Sequence, residues 1–258
     1  MNKYLQGESN YDKWPVIKVK RILHECLAGW EAICKHLMEQ LHKIQTNKKV
    51  VVFECYQGVM DEEIISALQN NLKGAWFFTK DYMISENEVD SLLYSDVTDD
   101  EVFGYMTRLT LKDFFDTSKL KDAKISLEEQ EGTAIVYGCG ASLLYPEPDL
   151  LIYADMARWE IQQRFRRNEV SNLGVSNKEL KASLQYKRAF FVDWRVCDRL
   201  KKQLMNRWDF VLDTNVQGLP KMVTGEDLRT AFREAVTQPF RVVPFFDPGP
   251  WGGQWMKE

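Results

Sequence analysis

Four consecutive apolar residues, Val50-Val51-Val52-Phe53, stand between the lysine pair 48–49 and a short turn that leads into the acids Asp61, Glu62 and Glu63. A strand this evenly hydrophobic leaves no face for water, so it belongs in the middle of a parallel sheet covered on both sides. Parallel neighbours need crossovers of a dozen or more residues, usually helices. This short run therefore commits the chain to α/β architecture. Ile64, Ile65, Leu68 and Leu72 mark the following helix, closed by Gly74. Ala75–Phe78, Thr133–Tyr137, Asp149–Asp155 and Asp209–Asp213 read as further strands, and Met156–Arg167, Asn177–Leu204 and Gly225–Val236 as helices. The expectation is a parallel sheet flanked by helices. Ahead of it, apolar residues spaced from Val19 to Ile44 predict one long amphipathic helix holding His24, His36 and His42. Thr98, before Asp99 and Asp100, reads as a helix cap.

Charge is unevenly distributed. The net charge is −4, yet Arg158–Arg207 holds 13 Lys+Arg against 5 Asp+Glu, a local +8 that leaves −12 elsewhere. Such separation marks either a surface for an anionic ligand or acidic partner, or a solvated helical face. No nucleic-acid-binding fold or aromatic stacking motif accompanies the basic segment, so nucleic acid is not an expected partner. No run approaches the roughly 18 apolar residues of a membrane span, and the N-terminus lacks a secretory apolar segment, so a cytoplasmic location is expected. The five cysteines are scattered without a C-x-x-C pair, which predicts reduced thiols. Gln40-Leu41-His42 falls on the long helix, where positions i and i+2 diverge by roughly 200°, so no metal site is expected. The sequence fixes no oligomeric state.

The turn after Val50–Phe53 stands where phosphate-binding proteins keep a G-x-x-x-x-G-K-[ST] loop, whose amides, Lys and hydroxyl hold phosphate and Mg²⁺. Here Cys55 stands at the first Gly, Met60 at the second, and Asp61 and Glu62 at the Lys and hydroxyl positions. Carboxylates in a first helical turn suit the helix dipole and repel a triphosphate. The motif is a degenerate P-loop, or else a generic strand–turn–helix with ordinary N-terminal acids. Gly138-Cys139-Gly140 lacks a third glycine and reads as a tight strand-end turn. The candidate phosphate-binding residues are Gly58, Arg164, Arg166, Arg167, Arg195 and Arg199, because guanidinium forks match phosphate oxygens.

The order helix, strand, acid-capped helix, strands, then Asp149–Asp155 followed by Arg164, Arg166 and Arg167, resembles the nucleoside- and uridine-kinase group of P-loop proteins over residues 48–215. It implies a kinase-like three-layer fold in which arginines after the fourth strand reach nucleotide phosphates. The segment 239–258, with Trp251-Gly252-Gly253, together with Asp193–Cys197 and Asp149–Arg167, resembles the N-terminal part of bacterial class I mannose-6-phosphate isomerases. That likeness implies a helical extension at 1–47, a degenerate kinase-like domain at 48–237, and a linker opening an isomerase cupin at 238–258. The parent reaction would convert mannose 6-phosphate to fructose 6-phosphate with zinc. The zinc ligands and the isomerase domain, the implied partner, would lie beyond Glu258. No cofactor is expected within these residues, and the chain alone is expected to be inactive as an isomerase. The alternatives are a regulatory module binding a sugar phosphate or nucleotide, and an active small-molecule kinase.

Overall fold

A computed structural model describes residues 16–20 and 22–237. They fall into two compact units, the described residues among 16–23 with 229–237, and 24–228. In the first unit the Lys20 amide donates to both carboxylate oxygens of Glu234, at 3.1 and 3.0 Å. The second unit holds the sheet.

Seven strands run β1 (Leu27–Ala28), β2 (Lys49–Cys55), β3 (Ala75–Phe78), β4 (Thr133–Gly138), β5 (Leu150–Asp155), β6 (Phe210–Asp213) and β7 (Lys221–Thr224). Their spatial order is β1-β7-β6-β5-β2-β4-β3. The five from β3 to β6 pair in parallel, while β7 and β1 close one side antiparallel. The expected apolar strand is central: Val52 pairs with Val136 of β4 on one side and Leu151 of β5 on the other. Val50 to Phe53 are all buried. Helices α1 (Trp30–Lys43), α2 (Asp61–Gln69), α3 (Glu86–Val97), α4 (Thr117–Glu129), α5 (Ala141–Leu144), α6 (Arg158–Arg166), α7 (Ala182–Arg188), α8 (Trp194–Leu204) and α9 (Gly225–Ala235) connect and flank the strands.

The predicted strands recur within a residue or two, and the helices need correction. The helix expected from Val19 begins only at Trp30, because Leu27 and Ala28 pair with Met222 and Lys221, and Gly29 turns the chain at φ +84°. Such a φ is one that glycine adopts without steric cost. His24 consequently lies outside α1, where its amide and Nδ1 meet the Asp227 carboxylate at 3.1 and 3.0 Å. Thr98 is not an N-cap. It follows the last residue of α3 at φ +58°, and Asp100 accepts the Val102 and Phe103 amides at 2.7 Å each. The cap of α3 is Ser85, in a reciprocal box with Glu88. α2 ends at Gln69, before Gly74, whose missing Cβ lets Thr133 pass: an added one would sit 2.3 Å from its carbonyl oxygen. The long basic helix starts at Ala182 and is interrupted by a π-helical turn, Ala189–Asp193. Residues 239–258, which carry the isomerase-like segment, lie outside the described residues.

Candidate functional site

The chain leaves β2 toward β4 and β3, then returns to build β5 and β6 on the opposite side of β2. In an open parallel sheet, ligands bind outside the carboxyl ends of the strands at such a reversal. The candidate site is therefore formed by the ends of β2, β4 and β5 and the turns that follow. These turns are heavily cross-linked by the protein's own side chains.

Gly58 sits in the turn between β2 and α2 at φ +95°, and a Cβ there would meet Ile161 of α6 at 2.8 Å. α6 thus packs directly against the turn. From the same helix Arg164, 1% exposed, donates to the Gly58 carbonyl at 2.8 Å and to the Thr214 carbonyl at 2.6 Å, with Asn215 at 3.3 Å. Glu160 lies 3.5 Å away on the preceding helical turn. Burial depresses the Arg164 pKa, opposed by Glu160. Gln57 completes the clamp: its amide donates to the Ser171 carbonyl at 2.8 Å, and its oxygen accepts from the Trp194 indole at 3.2 Å.

Glu54, near the end of β2, is 2% exposed. Its carboxylate oxygens accept the amides of Gly140 and Ser142 at 2.6 and 2.8 Å. Gly140 is left-handed at φ +83°, and a Cβ would strike the Phe115 ring at 2.7 Å. The Gly138-Cys139-Gly140 turn, read in the sequence as a tight strand end, is thus also an amide cradle, and a carboxylate of the protein fills it. Burial pushes the Glu54 pKa up to about 7 despite the opposing amide hydrogen bonds.

Asp61 is the first residue of α2, and its carboxylate accepts the Tyr137 hydroxyl at 2.8 Å. Although Asp61 keeps surface open to solvent, crowding of its carboxyl raises its pKa, against the lowering effects of Tyr137, Lys80 and Lys178. Burial, and then the Asp61 charge, also push the Cys55 thiol up, so it is held as a neutral thiol rather than a nucleophile. Glu63 accepts the Trp30 indole and the Gly218 amide, each at 3.0 Å. Glu62 is exposed, and Met60 is the extended residue that precedes α2.

Beyond β5 a half-open charged cluster forms. Tyr56 donates to Asp198 at 2.8 Å, Arg158 pairs with the same carboxylate and lies 5.3 Å from the Trp194 ring, and Lys201 pairs with Asp155 at 2.6 Å. The sequence did not single out this cluster, because its members come from the turn after β2 and from β5, α6 and α8, with no shared spacing. Each cation in it faces an acid.

Of the six phosphate candidates, the structure brings together Gly58 and Arg164. Arg166 reaches Gln163 at 3.3 Å on the exposed side of α6, and Arg167 forks onto Glu169 and Glu160. Arg195 donates to the Phe190 carbonyl at 2.9 Å and covers its ring at 5.0 Å. Arg199 holds the carbonyls of Leu109 and Thr107. Among the described residues no group of three or more His, Cys, Asp and Glu gathers to hold a metal, so the zinc implied by the isomerase resemblance has no ligand set there. No helix among them is long and apolar enough to cross a membrane.

Residues 29–237 match the family described as Domain of unknown function (DUF8485). The chain belongs to that family. No curated protein matches the chain significantly. A solved structure, the "putative fructose transport system kinase" from Silicibacter sp. TM1040, is similar at 13% identity with a TM-score of 0.43, covering 66% of this chain and 94% of that one. The family's matched region spans every strand of the sheet from β2 onward and the whole of the turn network around Gly58.

Proposed function

We propose that this chain is a kinase-like α/β module that performs no phosphoryl transfer and serves as a binding domain for a small phosphorylated molecule. One observation carries the first half: Asp61, a carboxylate tied to Tyr137 at 2.8 Å, begins the helix after the β2 turn. Phosphoryl transfer needs positive charge around the γ-phosphate. At this place the chain supplies Asp61 and Glu62, while Arg164 is engaged by three backbone carbonyls. The second half is supported by the uneven charge of the sequence, a +8 segment within a chain of net charge −4.

The test is calorimetry of the purified chain with Mg²⁺–ATP, UTP and mannose 6-phosphate, run beside an assay for ATP cleavage. The reading predicts binding of a phosphorylated compound without turnover. Absence of heat from all three at millimolar concentration would remove the binding role. A role beside a zinc-dependent mannose-6-phosphate isomerase domain rests on Trp251-Gly252-Gly253 and its neighbours. It predicts that the zinc-supplemented chain alone interconverts no mannose 6-phosphate, and measurable conversion would overturn that.

A further inference from the structure

A cavity of about 330 Å³ opens beside α5, bounded by α4, α8 and the segment after it. Lys112, Lys124 and Arg207 line it, and among the described residues no acid does. Its apolar wall includes Leu120, Leu200 and Leu204. Ser142, 5% exposed, also lines it. Its hydroxyl is turned to Glu54, whose charged form it favours.

The cations here differ from those around the β2 turn. Arg164 is held by three backbone carbonyls, and Lys201 and Arg158 face Asp155 and Asp198. Arg207 donates to the Pro146 carbonyl and pairs with Glu147 at 3.0 Å; that carboxylate is 85% exposed, and an exposed pair of this kind competes weakly with a dianion. A phosphate monoester carries about −1.5 to −2 charges and three acceptor oxygens, which a guanidinium and two ammonium groups complement. The leucine wall suits an attached organic body, and the volume sits at the small end of ligand sites.

We infer that this cavity is a binding site for a small phosphomonoester, with Lys112, Lys124 and Arg207 on the phosphate and the leucine wall against the organic part. The inference rests on the binding-module reading and moves the ligand away from the β2 turn. The experiment is titration calorimetry of the whole chain with mannose 6-phosphate, inorganic phosphate and uncharged mannose. It is repeated on the double variant K112M/K124M, on R207Q, and on K35M, a lysine on exposed α1 surface. The expected results are at least tenfold weaker mannose 6-phosphate binding in K112M/K124M and in R207Q, unchanged binding in K35M, weaker binding of inorganic phosphate, and none of mannose. Circular dichroism of the variants establishes that they fold. Full-strength binding in K112M/K124M would overturn the site while leaving the binding-module reading standing. Equal affinity for inorganic phosphate would overturn the ester assignment, and no binding by the parent chain would overturn both.

Discussion

Glu54 sets its carboxylate against two backbone amides at the carboxyl edge of the sheet, and its burial has a pH signature. Its folded pKa, about 7, lies above the ordinary 4.5. The folded state therefore holds a proton that the unfolded state releases, so this group makes stability fall as pH rises between those two values, by on the order of 3 kcal/mol in all. Below 4.5 both states are protonated and no penalty remains. Urea midpoints measured from pH 4.5 to 8 are expected to decline over that window, with a flatter profile in E54Q; an unchanged slope in the variant would place the titration elsewhere. Arg164 gives a second test, because a structural clamp and a phosphate ligand behave differently on removal. R164M strips a donor from the Gly58, Thr214 and Asn215 carbonyls, so a loss of about 3 kcal/mol in unfolding free energy is expected. Unchanged stability would mean that the clamp does little. These roles were invisible in the sequence. Glu54 is an acid within an apolar run, and nothing in its neighbours announces that Gly140 and Ser142, more than eighty residues away, supply its partners.

The basic segment resolves into stitching between elements. Lys187 of α7 holds the carbonyls of Thr98 and Asp100, and Arg199 of α8 holds those of Thr107 and Leu109. Both sites lie on the irregular stretch after α3, whose carbonyls lack a ladder to accept into. The π-helical turn Ala189–Asp193 contributes as well: the Phe191 carbonyl takes the Thr107 amide at 3.0 Å, a partner that a regular helix would use internally. In K187M/R199M, hydrogen exchange across residues 98–110 is expected to accelerate by tenfold or more while β2 and β4 keep their protection. Equal exchange in parent and variant would show that the turns of this stretch hold it unaided. Loss of the Ser85 hydroxyl in S85A is expected to cost about 1 kcal/mol, read by urea unfolding. The sequence showed the helical stripe of 177–204 but not the π turn, since one extra residue per turn barely disturbs apolar spacing. It missed α3 and α4 because their apolar residues are sparse among charges, and it extended α1 backward because Val19, Ile22, Leu23 and Cys26 mimic helical spacing.

The parallel sheet was legible because its central strands are continuously apolar, which only a doubly covered sheet accommodates. The antiparallel strands β1 and β7 were not: Leu27–Ala28 spans two residues, and Lys221–Thr224 mixes charge with partial burial. The position of the β2 turn was equally legible, since Asp61 begins α2 where the degenerate motif places it. What the turn holds was only half legible, because the replacement of a Lys by an acid can be read from one chain position and the closure by Arg164, Ile161 and Tyr137 cannot. The central physical claim is that the chain places Asp61 and Glu62 where a transferring phosphoryl group needs a cation, with the nearby Lys80 and Lys178 already set against Asp61. The direct measurement is release of labelled phosphate from Mg²⁺–[γ-³²P]ATP by the purified chain, alone and with mannose, fructose or uridine as acceptor. No label above the enzyme-free background is the expected result; steady turnover proportional to protein concentration, in the chain with Asp61 and Glu62 intact, would contradict it.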